Sequence, residues 1–152
     1  MTAVEENPDF IAFEGVNYVL APVLGDYYDR TALGDVFESR EYEVVIVDGP
    51  FAGTKERRKF RMGFQKYFPD LKGEPIIVVD DIDRPWDFLN FCCLWLKRRN
   101  RVYYFFSGSK ACALISRSKH QSPVYLFRSM LSFFRVLKRV LINSIRYLKN
   151  DS

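Results

Sequence analysis

Two uninterrupted runs of β-branched residues constrain the fold more than any other feature of this sequence. The first spans residues 42–48, Tyr-Glu-Val-Val-Ile-Val-Asp, and is cut off by Gly49 and Pro50. The second spans residues 75–80, Pro-Ile-Ile-Val-Val-Asp. Runs without polar alternation predict strands that are buried on both faces, as in parallel sheets covered by helices. The sequence therefore favours an α/β domain.

The rest of the chain supplies strand and helix signals in alternation. Further strands are predicted at 16–21, 101–107 and 110–117, helices at 31–40, 55–68 and 86–99, and a loop at 23–30. Gly108 and Ser109 join the last two strands as a hairpin. This order predicts a mostly parallel sheet with an antiparallel strand at or near one edge.

Charge is distributed unevenly along the chain and excludes some functions. Residues 1–121 hold 17 Lys and Arg against 18 Asp and Glu, whereas residues 122–152 hold six against one. A nucleic-acid-binding domain presents a basic face on its folded body, so the neutral body argues against that class. The three cysteines have no CxxC spacing, which argues against a zinc site or a disulfide framework.

Carboxylates close the two buried-type strands. Asp48 ends the first run, and Asp80 with Asp81 ends the second. Ligands bind outside the carboxyl ends of the strands in open α/β sheets. If the strands are neighbours, the three carboxylates converge and need a counter-ion, which is a divalent cation, a bound amine or an arginine such as Arg84. Oxygen ligands suit Mg²⁺. The alternative is that these aspartates cap the following helices.

The spacing of these motifs resembles that of class I S-adenosylmethionine-dependent methyltransferases. Val-Asp-Gly-Pro is followed about 30 residues later by Val-Val-Asp-Asp-x-x-Arg, the part of the resemblance that is most specific. The resemblance covers residues 1–117. Its segments are similar to the family's second strand and the start of the next helix at 2–11, to its third strand at 16–22, its fourth at 42–50, its fifth at 75–84 and its last two at 101–117.

This resemblance implies a Rossmann-like sheet, mostly parallel with a C-terminal β-hairpin, and methyl transfer from S-adenosylmethionine to a small-molecule or glycan hydroxyl. Glu5 takes the position that holds the cofactor ribose hydroxyls in the family. In the catechol O-methyltransferase-like branch, the positions of Asp48, Asp80 and Asp81 bind Mg²⁺, and Asp48 is the catalytic candidate. This chain departs from that branch, which has Asn at the third position and a lysine base where Phe51 stands.

That second departure leaves the general base unassigned, with Lys55 the nearest lysine in the sequence. The larger departure is at the front, because the family's first strand and glycine-rich cofactor loop have no counterpart in the sequence. The missing strand lies between the second and fourth strands of the family sheet, so its loss exposes unpaired strand edges. Three explanations stay open: a fragment of a whole enzyme, a non-catalytic relic, or a partner chain that supplies the strand.

The sequence predicts two parts, an incomplete methyltransferase-like domain at 1–121 and a basic amphipathic helix at 122–152. Ser122 and Pro123 open that helix as N-cap and first residue. Its six cations fall within a sector of roughly 100° around the helix, and the rest of the circumference is largely apolar. Peripheral contact of residues 122–149 with the inner face of a membrane, in a cytoplasmic protein, is one interpretation. Packing on the domain or within a homo-oligomer is the other.

Overall fold

The computed structural model describes residues 1–11, 14–25, 27–38, 40–51, 54–58, 60–67, 71–73, 75–97, 102–107, 110–116 and 123–151. The strands are β1 (Thr2–Glu5), β2 (Asn17–Leu20), β3 (Val23–Leu24), β4 (Tyr27–Tyr28), β5 (Val44–Val47), β6 (Ile76–Val79), β7 (Val102–Ser107) and β8 (Ala111–Ser116). The helices are α1 (Arg30–Glu38), α2 (Phe64–Tyr67), α3 (Pro85–Lys97) and α4 (Pro123–Asp151). The α/β class is confirmed.

A four-stranded mixed sheet forms the centre of the molecule, in the order β5-β6-β8-β7. The strands β5 and β6 pair in parallel, β8 runs antiparallel to β6, and β7 and β8 form the predicted antiparallel pair. Ile77, Val79, Ala113 and Ile115 are fully or almost fully buried in this sheet. The turn at 108–109 lies outside the described residues.

A separate two-stranded sheet is formed by β1 and β2, which pair in parallel from Thr2 opposite Asn17 to Glu5 opposite Leu20. After β2 and before α1 in the sequence, the strands β3 and β4 form a short antiparallel hairpin. The prediction of a loop at 23–30 was therefore wrong. Gly25 has a φ of 73°, a left-handed conformation that glycine adopts without steric cost and that allows the tight turn.

The C-terminal helix α4 packs on the domain. The Ser129 hydroxyl accepts a hydrogen bond from the Phe105 backbone N–H of β7 at 3.0 Å. Further along, the Asn143 side chain donates to the Asp83 carbonyl at 2.9 Å, and Arg139 lies 3.7 Å from the Asp83 carboxylate. The N-cap residue Ser122 lies outside the described residues.

The predicted single helix at 55–68 is broken. Residues 55–58 form turns, a 3₁₀ helix spans Phe60–Gly63, and α2 covers only Phe64–Tyr67. Gly63 explains this, because glycine disfavours a helix interior and a Cβ at this position would collide with the Tyr27 side chain. The 3₁₀ helix thereby packs closely against β4.

The strand β5 is buried on one face only, which corrects the expectation of burial on both. Val47 is 3% exposed, whereas Val44 and Ile46, on the other face, are 51% and 69% exposed. Ile76 of β6, on the same face as Val44, is 38% exposed. None of the helices in those ranges combines the length and the apolarity needed to cross a bilayer.

Candidate functional site

A cleft separates β1 from β5. Neither strand has a partner on its cleft side within the part of the chain that the structure describes. At one end of the cleft, Arg40 donates to the Thr2 hydroxyl at 3.4 Å, and at the other the Glu6 carboxylate accepts from the Phe51 N–H at 3.2 Å. The start of β1 is therefore bonded to a residue that precedes β5 in the chain, and the end of β1 to a residue that follows β5. The two strands consequently run in the same direction.

The cleft has a volume of about 670 Å³ and is lined by both strands. This volume falls within the range of small-molecule sites, roughly 300–1,000 Å³. Apolar side chains make up most of its walls, and carboxylates lie at the end where β1 and β5 finish. The apolar and aromatic lining includes Val4, Tyr28, Leu33, Phe37, Val45, Val47 and Phe64.

Asp48, Asp80 and Asp81 converge at the carboxyl ends of β5 and β6. Each offers a carboxylate oxygen, and these oxygens lie within 4.8 Å of one another. Parallel pairing of β5 and β6 produces this arrangement, because Val47 lies opposite Val79 and both strands finish at the same edge. An all-oxygen donor set of this kind fits a hard divalent cation such as Mg²⁺.

Two basic side chains already neutralise part of this cluster. Lys110 donates to Asp80 at 3.0 Å, and Arg84 forms an ion pair with Asp81, also at 3.0 Å. The hydrogen bond to Asp80, and then the charges of Asp80, Asp81 and Asp48, raise the pKa of the lysine ammonium. The Lys110 side chain is 67% exposed, so its ion pair is weak and an arriving cation can displace it at small cost.

Asp81 is held in an unusual backbone conformation. Its φ is 55°, in the left-handed region, and the residue is 9% exposed. The neighbouring backbone fixes it there, since the Arg84 N–H donates to the Asp81 carbonyl at 2.9 Å and the Ile82 N–H donates to the Ala111 carbonyl at 3.0 Å. Left-handed non-glycine residues are uncommon and concentrate at functional sites.

Glu5 is the last residue of β1 and lines the cleft. Asp48, the residue after β5, lines the cleft as well. Partial burial raises the pKa of the Glu5 carboxyl, and the negative charges of Glu6 and Asp48 raise it further. Glu5 and Asp48 are thus close enough to repel each other. A ligand that donates hydrogen bonds or brings positive charge would relieve this repulsion.

Comparison with protein-family models, with curated proteins and with solved structures gives no match. The geometry of the site therefore carries the functional argument. It brings together the three aspartates expected from the sequence and adds Glu5 across the cleft. Arg84, one of the counter-ions considered from the sequence, forms an ion pair with Asp81.

Two further residues of the site were not found from the sequence. Glu6 forms an ion pair with Arg57, whose guanidinium also lies 5.1 Å from the centre of the Phe60 ring. Together with the Phe51 bond, this contact fastens the end of β1 to the loop after β5. Lys110 is the second residue that was not found from the sequence. Its contact with Asp80 follows from the antiparallel register of β6 and β8, which brings the start of β8 beside the end of β6.

Proposed function

We propose that this chain is a Rossmann-like methyltransferase domain that binds S-adenosylmethionine at the carboxyl end of the β1–β5 cleft. One observation carries the proposal. Glu5 and Asp48, from the ends of two strands that run in the same direction, line one end of an apolar cleft of about 670 Å³. The cleft lies between the segments that resemble the family's second and fourth strands, where the family has its first.

In this proposal Glu5 accepts hydrogen bonds from the two cofactor ribose hydroxyls, and the methyl acceptor is a small-molecule or glycan hydroxyl. Asp48, Asp80 and Asp81 would hold Mg²⁺, and Asp48 is the most exposed of the three. When bound, the metal would lower the pKa of the acceptor hydroxyl. Arg84 balances the charge of Asp81, and the exposed Lys110 would give up its contact with Asp80 to a bound cation.

Calorimetric titration of S-adenosylhomocysteine into the full chain, with and without Mg²⁺, tests the proposal. We expect binding that Glu5→Gln weakens at least tenfold. A hydrogen bond to a charged acceptor contributes about 1.5–3 kcal/mol of binding free energy, which the variant loses in part or in full. Glu14→Gln, on an exposed turn, is the matched control. A folded sample that binds no S-adenosylhomocysteine in either condition would overturn the proposal.

A second candidate function is that of a non-catalytic interaction protein, derived from the same fold, at the inner face of a membrane. The observation that favours it is the outward side of α4, where large apolar side chains stay exposed although the helix packs on the domain. The two functions separate experimentally, because the first needs Glu5 and the second needs α4.

A further inference from the structure

The orientation of α4 on the domain is fixed by contacts along its length. Val136 is fully buried and Ser129 nearly so. Asn143 holds the Asp83 carbonyl, and the Tyr147 ring lies 4.2 Å from the Arg58 guanidinium. At about 100° per residue these side chains share one side of the helix. The opposite side therefore points away from the domain.

An apolar strip runs along that outward side. Its members are between 50% and 72% exposed and occupy a sector of roughly 60°. With 29 residues, the helix is about 44 Å long, and the strip extends over most of it. The strip consists of Phe127, Met130, Phe134, Leu141, Ile145 and Leu148.

Exposed cations border the strip along one flank. They fall within a sector of roughly 80° beside it, and the chain has no acidic residue from 123 to 149. The sixth cation of the helix, Arg139, turns instead toward Asp83 on the domain. The bordering cations are Arg128, Arg135, Lys138, Arg146 and Lys149, all of them exposed.

We infer that the outward side of α4 docks on the surface of an anionic lipid bilayer, an inference that rests on the membrane-surface function proposed above. Phe127, Phe134 and Leu141 enter the boundary between head groups and acyl chains, while the flanking Lys and Arg meet lipid phosphates and carboxylates. The domain stays in water, because its own contacts hold the other side of the helix.

Charge favours a bilayer over a second copy of the chain as the occupant of this strip. A helix pair built on this strip would add a second cationic flank, and neither helix has an acid between 123 and 149 to pair with the cations. An anionic bilayer supplies the missing charge over the whole length of the strip, and it also takes up the apolar side chains.

Co-sedimentation of the full chain with vesicles tests the inference. One set of vesicles is phosphatidylcholine, and the other contains added phosphatidylserine. We expect strong partitioning only into the second set, and weakening at high salt. The double variant Arg135→Gln with Lys138→Gln should lower the partition coefficient roughly 25-fold, because each cation near an anionic surface is worth about a fivefold gain. Lys72→Glu removes the same net charge outside α4 and should have little effect.

A second pair of variants tests the apolar strip. Phe134→Gln with Leu141→Gln should weaken partitioning at least tenfold, since burial of even one large apolar side chain is worth about a tenfold gain in partitioning. Leu24→Gln with Leu96→Gln, two exposed leucines elsewhere, is the control. Unchanged circular dichroism shows that each variant is folded.

Three outcomes would overturn the inference. Equal binding to both sets of vesicles leaves membrane contact in place but removes the anionic partner. No binding to either set removes the membrane-surface function as well. A dimer in analytical ultracentrifugation that Phe134→Gln with Leu141→Gln dissociates would assign the strip to a second copy.

Discussion

The four-stranded sheet and the β1–β2 pair contain similar strands but are held in the molecule differently. Both include a parallel pair of four-residue strands. β6 and β8 bury their inward side chains completely, whereas β1 and β2 are only partly buried. The sheet is joined by a continuous backbone ladder. At its ends, the β1–β2 pair is tied across the cleft through Glu6 and Arg40.

This difference separates stability from binding. Backbone ladders and buried Ile, Val and Ala make the four-stranded sheet the cooperative part of the fold. The cleft exists because no described strand joins β1 to β5, and the carboxylates at its end come from both regions. A ligand bound there would bridge two parts that the free chain connects through few bonds.

The largest expected difference between the regions concerns core truncation. Ile77→Ala, at a fully buried position of β6, should cost about 2–5 kcal/mol of unfolding free energy. Val4→Ala, at a partly buried position of β1, should cost about 1 kcal/mol. Urea denaturation measures both, with the more exposed Ile76→Ala as the control. Equal costs at positions 77 and 4 would contradict the comparison.

Removing the Glu6 charge should loosen one region only. Glu6→Gln loses the ion pair with Arg57, and we expect the β1–β2 pair to open more easily by about 1–2 kcal/mol. Limited proteolysis, with cleavage sites located by mass spectrometry, should then show faster cutting within residues 1–25. Cleavage in β6 and β8 should be unchanged, as should all cleavage in Glu14→Gln. Uniformly faster cleavage would mean that the ion pair between Glu6 and Arg57 supports the entire fold.

A smaller effect is expected at the acidic cluster. Lys110→Met removes the ammonium that neutralises Asp80, so the three carboxylates repel each other more strongly. We therefore expect Mg²⁺ to raise the melting temperature of this variant more than that of the native chain. Lys72→Met is the matched control. An identical response of Lys110→Met and the native chain to Mg²⁺ would argue against a cation site.

The smallest predicted effect depends on pH. Burial and the neighbouring charges of Glu6 and Asp48 raise the pKa of Glu5 in the folded chain above 4.5, its ordinary value. Folding then favours the protonated carboxyl, and ionised Glu5 costs stability as pH rises through the folded pKa. Glu5→Gln should melt higher than the native chain near neutral pH. Melting curves should show this gain vanish below about pH 4.5, and a gain that persists there would contradict the prediction.

Much of the four-stranded sheet could be predicted because its signals are local. The β-branched runs of β5 and β6 identify strands, and parallel neighbours must finish at one edge, so the convergence of Asp48, Asp80 and Asp81 followed. Exposure of Val44 and Ile46 could not be predicted, since a strand's own sequence does not determine which element covers its face. Glu6 and Lys110 were missed because their partners lie 51 and 30 residues away in the chain.

Hydrogen exchange of the full chain, with and without S-adenosylhomocysteine, tests the central claim most directly. Without ligand, amides of β1 and β2 should exchange faster than those of β6 and β8, because they open locally at a lower cost in free energy. Saturating ligand should slow exchange in residues 1–11 and 40–51 and leave residues 102–107 and 110–116 unchanged. If saturating ligand leaves residues 1–11 and 40–51 unprotected, the β1–β5 cleft is not the cofactor site.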